Sequence, residues 1–194
     1  MNEENSYSEL GRASRAPGWV TNASFHGGFG LINAFGVPKP SFRVYELLHR
    51  AGDMQLAVTH TAASSYCNVT TGMIATTWNG TVQLLLYNHR EWDAPQLDHP
   101  NPSVPCDVTV VLDGAAATLP SSATVRVIDQ EHTNPRRKWI ELGMPAYPSP
   151  AEHTLIMAAS EMMPEMIEMA GDPTKRELKL TLARHSVLAV TFAL

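Results

Sequence analysis

Charge is scarce in this chain, and positive charge is scarcest. Asp, Glu, Lys and Arg make up 17% of 194 residues, and 14 Lys+Arg stand against 19 Asp+Glu, a net charge of −5. Phosphate affinity is delivered by clustered Lys and Arg, so this balance excludes a nucleic-acid binder and argues equally against an anionic membrane surface as partner. Long hydrophobic runs are missing too: no stretch approaches the roughly 18–20 apolar residues that a membrane helix needs. The opening residues, MNEENSYSELGRASR, hold no apolar core of a signal peptide, so a soluble, cytoplasmic chain is expected. Cysteine is nearly absent. Cys67 and Cys106 are too few for a disulfide framework and read as two semi-buried thiols. The triplets Asn22-Ala-Ser, Asn68-Val-Thr and Asn79-Gly-Thr fit the glycosylation pattern, which means little without a secretory signal.

What is present is apolar material in the proportion of a globular chain. At 44% it supports a packed core and excludes intrinsic disorder. Residues 1–24 show no apolar period and read as a loose arm. The stretch Phe25-His-Gly-Gly-Phe-Gly30 lacks the Gly-Lys-Ser/Thr ending of a phosphate loop, so a backbone turn beside an aromatic pair is the better reading, with His26 packed in it. Ser41 is placed to cap a helix over 41–51, with Phe42, Tyr45, Leu47 and Leu48 on its apolar side and Gly52 just past its end.

From Gln55 onward the period becomes that of strands. Runs rich in Val, Leu, Ile and Thr occur at 55–59, 72–78, 81–88, 107–112, 124–128, 178–182 and 187–192. Trp78-Asn79-Gly80-Thr81 is a hairpin signal, because Asn-Gly supplies the two positive φ angles of a type I′ turn. Asn134 followed by Pro135 and closed by Gly143 marks a short helix. Ser149-Pro-Ala-Glu152 is a capping box that opens a helix through about Met163, whose Leu155, Ile156, Ala159, Met162 and Met163 read as a core-facing stripe. The expected class is mainly β: an antiparallel β-sandwich with two or three flanking short helices.

Two segments resemble a known family. The first, Phe25–Gly52, reads FHGGFGLINAFGVPKPSFRVYELLHRAG; it is similar to the end of the catalytic barrel in glycoside hydrolase family 39, which contains β-xylosidases and α-L-iduronidase. The second, Ile128–Pro148, reads IDQEHTNPRRKWIELGMPAYP and resembles that family's signature within its accessory β-sandwich. The closing His185-Ser-Val-Leu-Ala-Val190 resembles its final strand. The resemblance covers about 25–194 and implies three parts: an arm at 1–24, a barrel-end segment at 25–52 and a β-sandwich domain at 53–194. Family members carry two catalytic glutamates on a barrel before this region. Neither can be placed here, since the one Asn-Glu pair, Asn2-Glu3, lies in the arm with no strand before it. The resemblance therefore implies a carbohydrate-related module without the family's catalytic residues.

Two polar loops still offer chemistry. A retaining glycosidase needs two carboxyl groups about 5–5.5 Å apart. One loop offers Glu91 and Asp93 beside Trp92, with His89, Asp98 and His99; the other offers Asp129, Glu131 and His132, with Asn134 and Trp139 behind. If both loops emerge at one end of the sandwich, a minimal stand-alone glycosidase of β-xylosidase type is conceivable, with Asp129, Glu131, Glu91 and Asp93 as its carboxylates. Asp129 and Glu131 would share a side if their strand continued. A third possibility is a sugar-binding module using Trp92, Tyr87, His132, Asn134 and Trp139. Against these stands the plainer reading: solvated loop charges, an Asp129 pair with Arg126 or Arg136, and a Trp139 that packs its helix onto the sheet. His89, Asp93 and His99 match no tight metal motif, so no metal and no cofactor are expected. Without a barrel to cover them, Phe25, Phe29, Leu31 and Phe35 would form an apolar patch, which implies self-association or a separate barrel partner.

Overall fold

Apolar residues that alternate along the chain set its strands, and a computed structural model shows how those strands pair. It describes residues 25, 30–59, 67, 70–89, 105–114 and 118–194. Among these lie strands β1 (Met54–Gln55), β2 (Thr71–Trp78), β3 (Thr81–Asn88), β4 (Cys106–Asp113), β5 (Ser122–Ile128), β6 (Glu165–Glu168), β7 (Ala170–Asp172), β8 (Lys175–Leu182) and β9 (Ser186–Ala193). Three helices join them: α1 (Pro40–His49), α2 (Pro135–Glu141) and α3 (Pro150–Ala159). The class is mainly β and the pairing antiparallel, as expected.

The described residues divide into two units. One holds those up to Arg43 with Asn134–Glu161; the other holds Val44–Thr133 with Met162–Leu194. Helices α2 and α3 thus group with the segment before Val44, not with the strands around them in sequence. The arm at 1–24 lies outside the described residues.

The strand unit has a six-stranded sheet in the order β1-β2-β3-β9-β5-β6 and a three-stranded sheet in the order β4-β8-β7. Alternation sorts each strand's side chains. Leu188, Val190 and Phe192 of β9 join Val82, Leu84 and Leu86 of β3 in a core that includes Val110 of β4 and Leu178, Leu180 and Leu182 of β8. The opposite face of the larger sheet carries Leu85, Ala189 and Ile128 under Leu47 of α1. β3 is therefore covered on both sides, which is why its sequence is a near-continuous apolar run. The buried Gln83 amide donates to the Leu47 carbonyl at 2.9 Å, satisfying a helix-end acceptor that would otherwise lie orphaned. Asn79 at φ 47° and Gly80 at φ 71° turn β2 into β3, with Trp78 and Thr81 as the closing pair.

In the helical unit the caps of α2 and α3 are those the sequence indicated, whereas α1 runs Pro40–His49, so Ser41 lies inside its first turn and does not cap it. Asn134 accepts from the Arg137 amide, Pro135 opens α2, and Gly143 at φ 83° ends it. The Gly143 amide bonds Ile140 and the Met144 amide bonds Trp139, the paired closure of a Schellman motif. Ser149 and Glu152 form the reciprocal capping box of α3, and the bonds from the Ser149 backbone and hydroxyl hold the Glu152 carboxyl below its ordinary pKa. Arg43 is buried and satisfied there: it donates to the Ser160 carbonyl at 2.8 Å and pairs with Glu161 at 2.6 Å.

Four further expectations change. The strand at 55–59 shrinks to Met54–Gln55. β6 and β7 were not foreseen; EMIE and AGD are largely exposed, so no inward alternation marks them. Helix α3 ends at Ala159 because Ser160 caps it, and of the expected stripe only Ile156 is buried, while Leu155 and Met163 face water. The cysteines are not thiols. Cys67 and Cys106 form a disulfide with Cα atoms 5.9 Å apart, 39 positions apart in sequence. A cysteine count cannot reveal such proximity, which the fold alone creates. Replacing both cysteines with alanine is expected to lower unfolding stability by about 3–4 kcal/mol, the chain-entropy range for a ring of this length. Denaturant melts of the oxidised parent and the variant measure it.

Candidate functional site

Strand register decides which loops meet. β9 lies between β3 and β5, with Asn88 opposite Ser186 and Val187 opposite both Tyr87 and Ile128. The chain therefore leaves β3 at His89, leaves β5 at Asp129 and arrives at β9 through Arg184-His185, all at one end of the larger sheet. Neighbouring strands lie about 4.8 Å apart, so β3 and β5 stand about 10 Å apart here. Both loops singled out from the sequence start at this end. Of the first, Glu91, Trp92, Asp93, Asp98 and His99 lie outside the described residues, as do His26 and Phe29.

The second loop uses its acid locally. β5 stops at Ile128, so no strand carries Asp129 and Glu131 onto one side. The Asp129 Oδ1 accepts from the Glu131 amide at 2.8 Å, the His132 amide at 2.6 Å and the His132 Nδ1 at 2.9 Å. Its side-chain partner is His132, not Arg126 or Arg136. Thr133, at φ 55°, closes the turn by donating from its hydroxyl to Val127 O at 2.7 Å. Such a carboxylate orders a loop by accepting backbone N–H groups. Glu131 and the His132 ring point outward and are exposed.

The aromatic candidates separate. Trp139 is 6% exposed, rests against Phe25 with ring centroids 5.7 Å apart, and donates its indole N–H to Pro145 O. It is a core residue of the helical unit, with no ring face left for a sugar. Asn134, in the same unit, spends its side-chain oxygen on the cap of α2. Phe25 is itself buried, and Phe35 is half-buried with its ring edge-on to Tyr147, so the expected apolar patch keeps Leu31 alone as an exposed member among the described residues. Tyr87 remains available. It is 41% exposed and its ring lies over Gly72, where a Cβ would come within 2.3 Å of it.

What the sequence did not single out is the pair His89 and His185. Their rings meet edge to face at 5.6 Å, and Arg184 Nε donates to His185 Nε2 at 3.0 Å. Desolvation, then the charges of Arg184 and His89, lower the His185 pKa below the ordinary 6.5. A lone His before a strand gives no local signal; only the β3–β9 pairing brings it to His89. Among the described residues no three His, Cys, Asp or Glu side chains gather as metal ligands.

Because the folded His185 resists protonation, the unfolded chain takes up that proton first as pH falls. The stability it contributes is present above pH 6.5 and is lost as pH drops through the lowered folded value. His185→Asn keeps a residue that tolerates φ 54° and removes the titration. Melting temperatures from pH 8 to pH 5 are expected to fall less in that variant than in the parent.

Comparison with known proteins gives this geometry its context. A beta-xylosidase from Caldicellulosiruptor saccharolyticus is 32% identical over 169 residues, which is 86% of this chain and 32% of that protein. Among solved structures, the GH39 enzyme from Xanthomonas axonopodis pv. citri is similar with a TM-score of 0.66 and 19% identity, over 89% of this chain and 33% of that one. A monomeric beta-xylosidase from Caulobacter crescentus CB15 is similar with a TM-score of 0.67 and 19% identity, over 89% of this chain and 34% of that one. At such identity the structural likeness is one of fold alone. The chain spans about a third of the length of these relatives. The model of the family "Glycosyl hydrolases family 39" matches residues 3–172, most of the chain, which therefore belongs to that family.

Proposed function

We propose that this chain acts as a carbohydrate-related module of family 39 that does not hydrolyse glycosides by itself. The observation that carries the reading is the state of Asp129: its carboxylate accepts two backbone amides and the His132 ring, so it serves the turn and not a paired acid. On this reading hydrolysis belongs to a barrel, in the same polypeptide or a separate one. The sheet end bearing Tyr87, His89, Asp129 and His132 is the side that meets sugar, with Tyr87 as the stacking ring.

The alternative, a stand-alone glycosidase of β-xylosidase type, is favoured by one observation: the loop carrying Glu91 and Asp93 starts at the same sheet end as Asp129. A panel of nitrophenyl glycosides, run with the purified chain and with Asp129→Asn and Glu131→Gln variants, separates the two. The module reading expects no turnover and a lower melting temperature for Asp129→Asn. Turnover by the parent that falls by about 10²-fold or more in the variants, at unchanged melting temperature, would overturn it.

The proposed partner is a second copy or a barrel. Its contact draws on the exposed Leu31 and Ile32, in place of Phe25 and Phe35. Light scattering after size-exclusion chromatography is expected to give a mass above the monomer at high concentration; a clean monomer, with no association to a family 39 barrel, would sink this. We place the chain in an oxidising compartment and not in the cytoplasm, because a disulfide such as Cys67–Cys106 persists where thiols are not kept reduced. No helix of the described residues is long and apolar enough to cross a membrane.

A further inference from the structure

The end of the strand unit opposite the candidate site carries a large aromatic side chain in water. Trp78 closes the β2–β3 hairpin and is 65% exposed. Its cross-strand partner is Thr81, and the two residues between them are Asn79 and Gly80, both at positive φ. The four residues are thus a two-residue turn in which the acceptor pattern Asn-Gly-Thr is displayed in full, with Asn79 exposed at the tip. Opposed residues of a strand pair share one face, so the indole of Trp78 and the Thr81 side chain stand side by side, one residue to each side of the turn. The triplet at Asn68 differs, since its third residue, Thr70, is buried.

We propose that Asn79 is an N-glycosylation site and that Trp78 is the platform on which the first sugar of the glycan rests. The donor is a lipid-diphosphate-linked oligosaccharide, handled by the host's oligosaccharide transferase. The Asn79 Nδ2 forms a bond to the anomeric carbon. The bond from that carbon to the diphosphate oxygen breaks, the diphosphate leaves with the electron pair, and one amide proton passes to base. The native hairpin accommodates the product because the tip is open to solvent. A sugar leaving the turn from its first residue passes over the adjacent indole, whose broad apolar face matches the C–H face of a pyranose. The same contact accounts for a tryptophan kept in water where a threonine would suit the strand. The disulfide supplies the second condition, an oxidising route of the kind on which such transferases act.

The test is secretion of the full chain from a eukaryotic host in an Asn22→Gln, Asn68→Gln background, so that Asn79 holds the remaining triplet. Peptide N-glycanase is expected to shift the product's mobility and convert Asn79 to Asp, and Thr81→Val, which preserves the Asn-Gly turn, is expected to abolish the shift. A folded, disulfide-bonded product with Asn79 unmodified would overturn the site. For the platform, each sequence is compared with its own unglycosylated form made in a bacterial periplasm. Glycosylation is expected to raise the melting temperature by about 2–4 °C, the scale of one aromatic contact in a chain of this size. That gain disappears in Trp78→Ala. A gain that persists without the indole would refute the stacking role.

Discussion

β9 completes the larger sheet by inserting between β3 and β5, and nearly every other feature of the strand unit depends on that insertion. Eight residues of β9 pair with the whole of β3, and five pair with β5. The pairing buries Val190 and Phe192 toward the smaller sheet and Ala189 toward α1, so one strand feeds both cores. A slip of one residue would reverse every side chain and expose both sets at once. The same register fixes what stands at the two ends of β9: His185 reaches His89 at one, and Ala193 lies opposite Thr81 at the other.

The parts of the fold legible in the sequence are those whose cause is local. Alternation, or in β3 a near-continuous apolar run, marks β2, β3, β4, β5, β8 and β9 to within a few residues. The Asn79-Gly80 turn, the Asn134 cap and the Ser149–Glu152 box are read correctly because each motif satisfies its own backbone groups. What failed to show has a non-local cause. β6 and β7 pair along sheet edges with exposed side chains, so hydrogen bonding holds them and no pattern betrays them. The disulfide joins residues that only the two-sheet arrangement brings together. The Met-rich stripe after Ser149 misled, because a helical period predicts a shared face but not that the face is covered.

The candidate site divides in the same way. That Asp129 lies at a strand end was readable; that its carboxylate is absorbed by the amides of Glu131 and His132 was not, since this depends on β5 stopping one residue earlier. Trp139 reads from the sequence as a sugar platform or a packing residue, and burial against Phe25 decides for packing within the helical unit. Tyr87 is an exposed ring, while Gly72 beneath it gives no hint of contact until β2 and β3 are paired.

The end of the strand unit that carries His89, His185 and Asp129 is also where its two sheets are tied. Asn88 is buried and donates from its side-chain amide to Leu182 O at 3.2 Å, linking β3 to β8. Cys106 pairs with Leu182 across β4 and β8, and its disulfide reaches back to Cys67, shortly before β2 begins. Ser186, also buried, donates to Ala183 O and fixes the short turn from β8 into β9. A covalent link, a buried hydrogen bond and a partly buried one thus converge on one end. A recognition surface needs its groups held to a fraction of an ångström, and rigid supports of this kind supply that. The opposite end has only the hairpin turn, where a bulky modification can be tolerated without disturbing a core contact. Rigidity at one end and openness at the other follow from a single strand order.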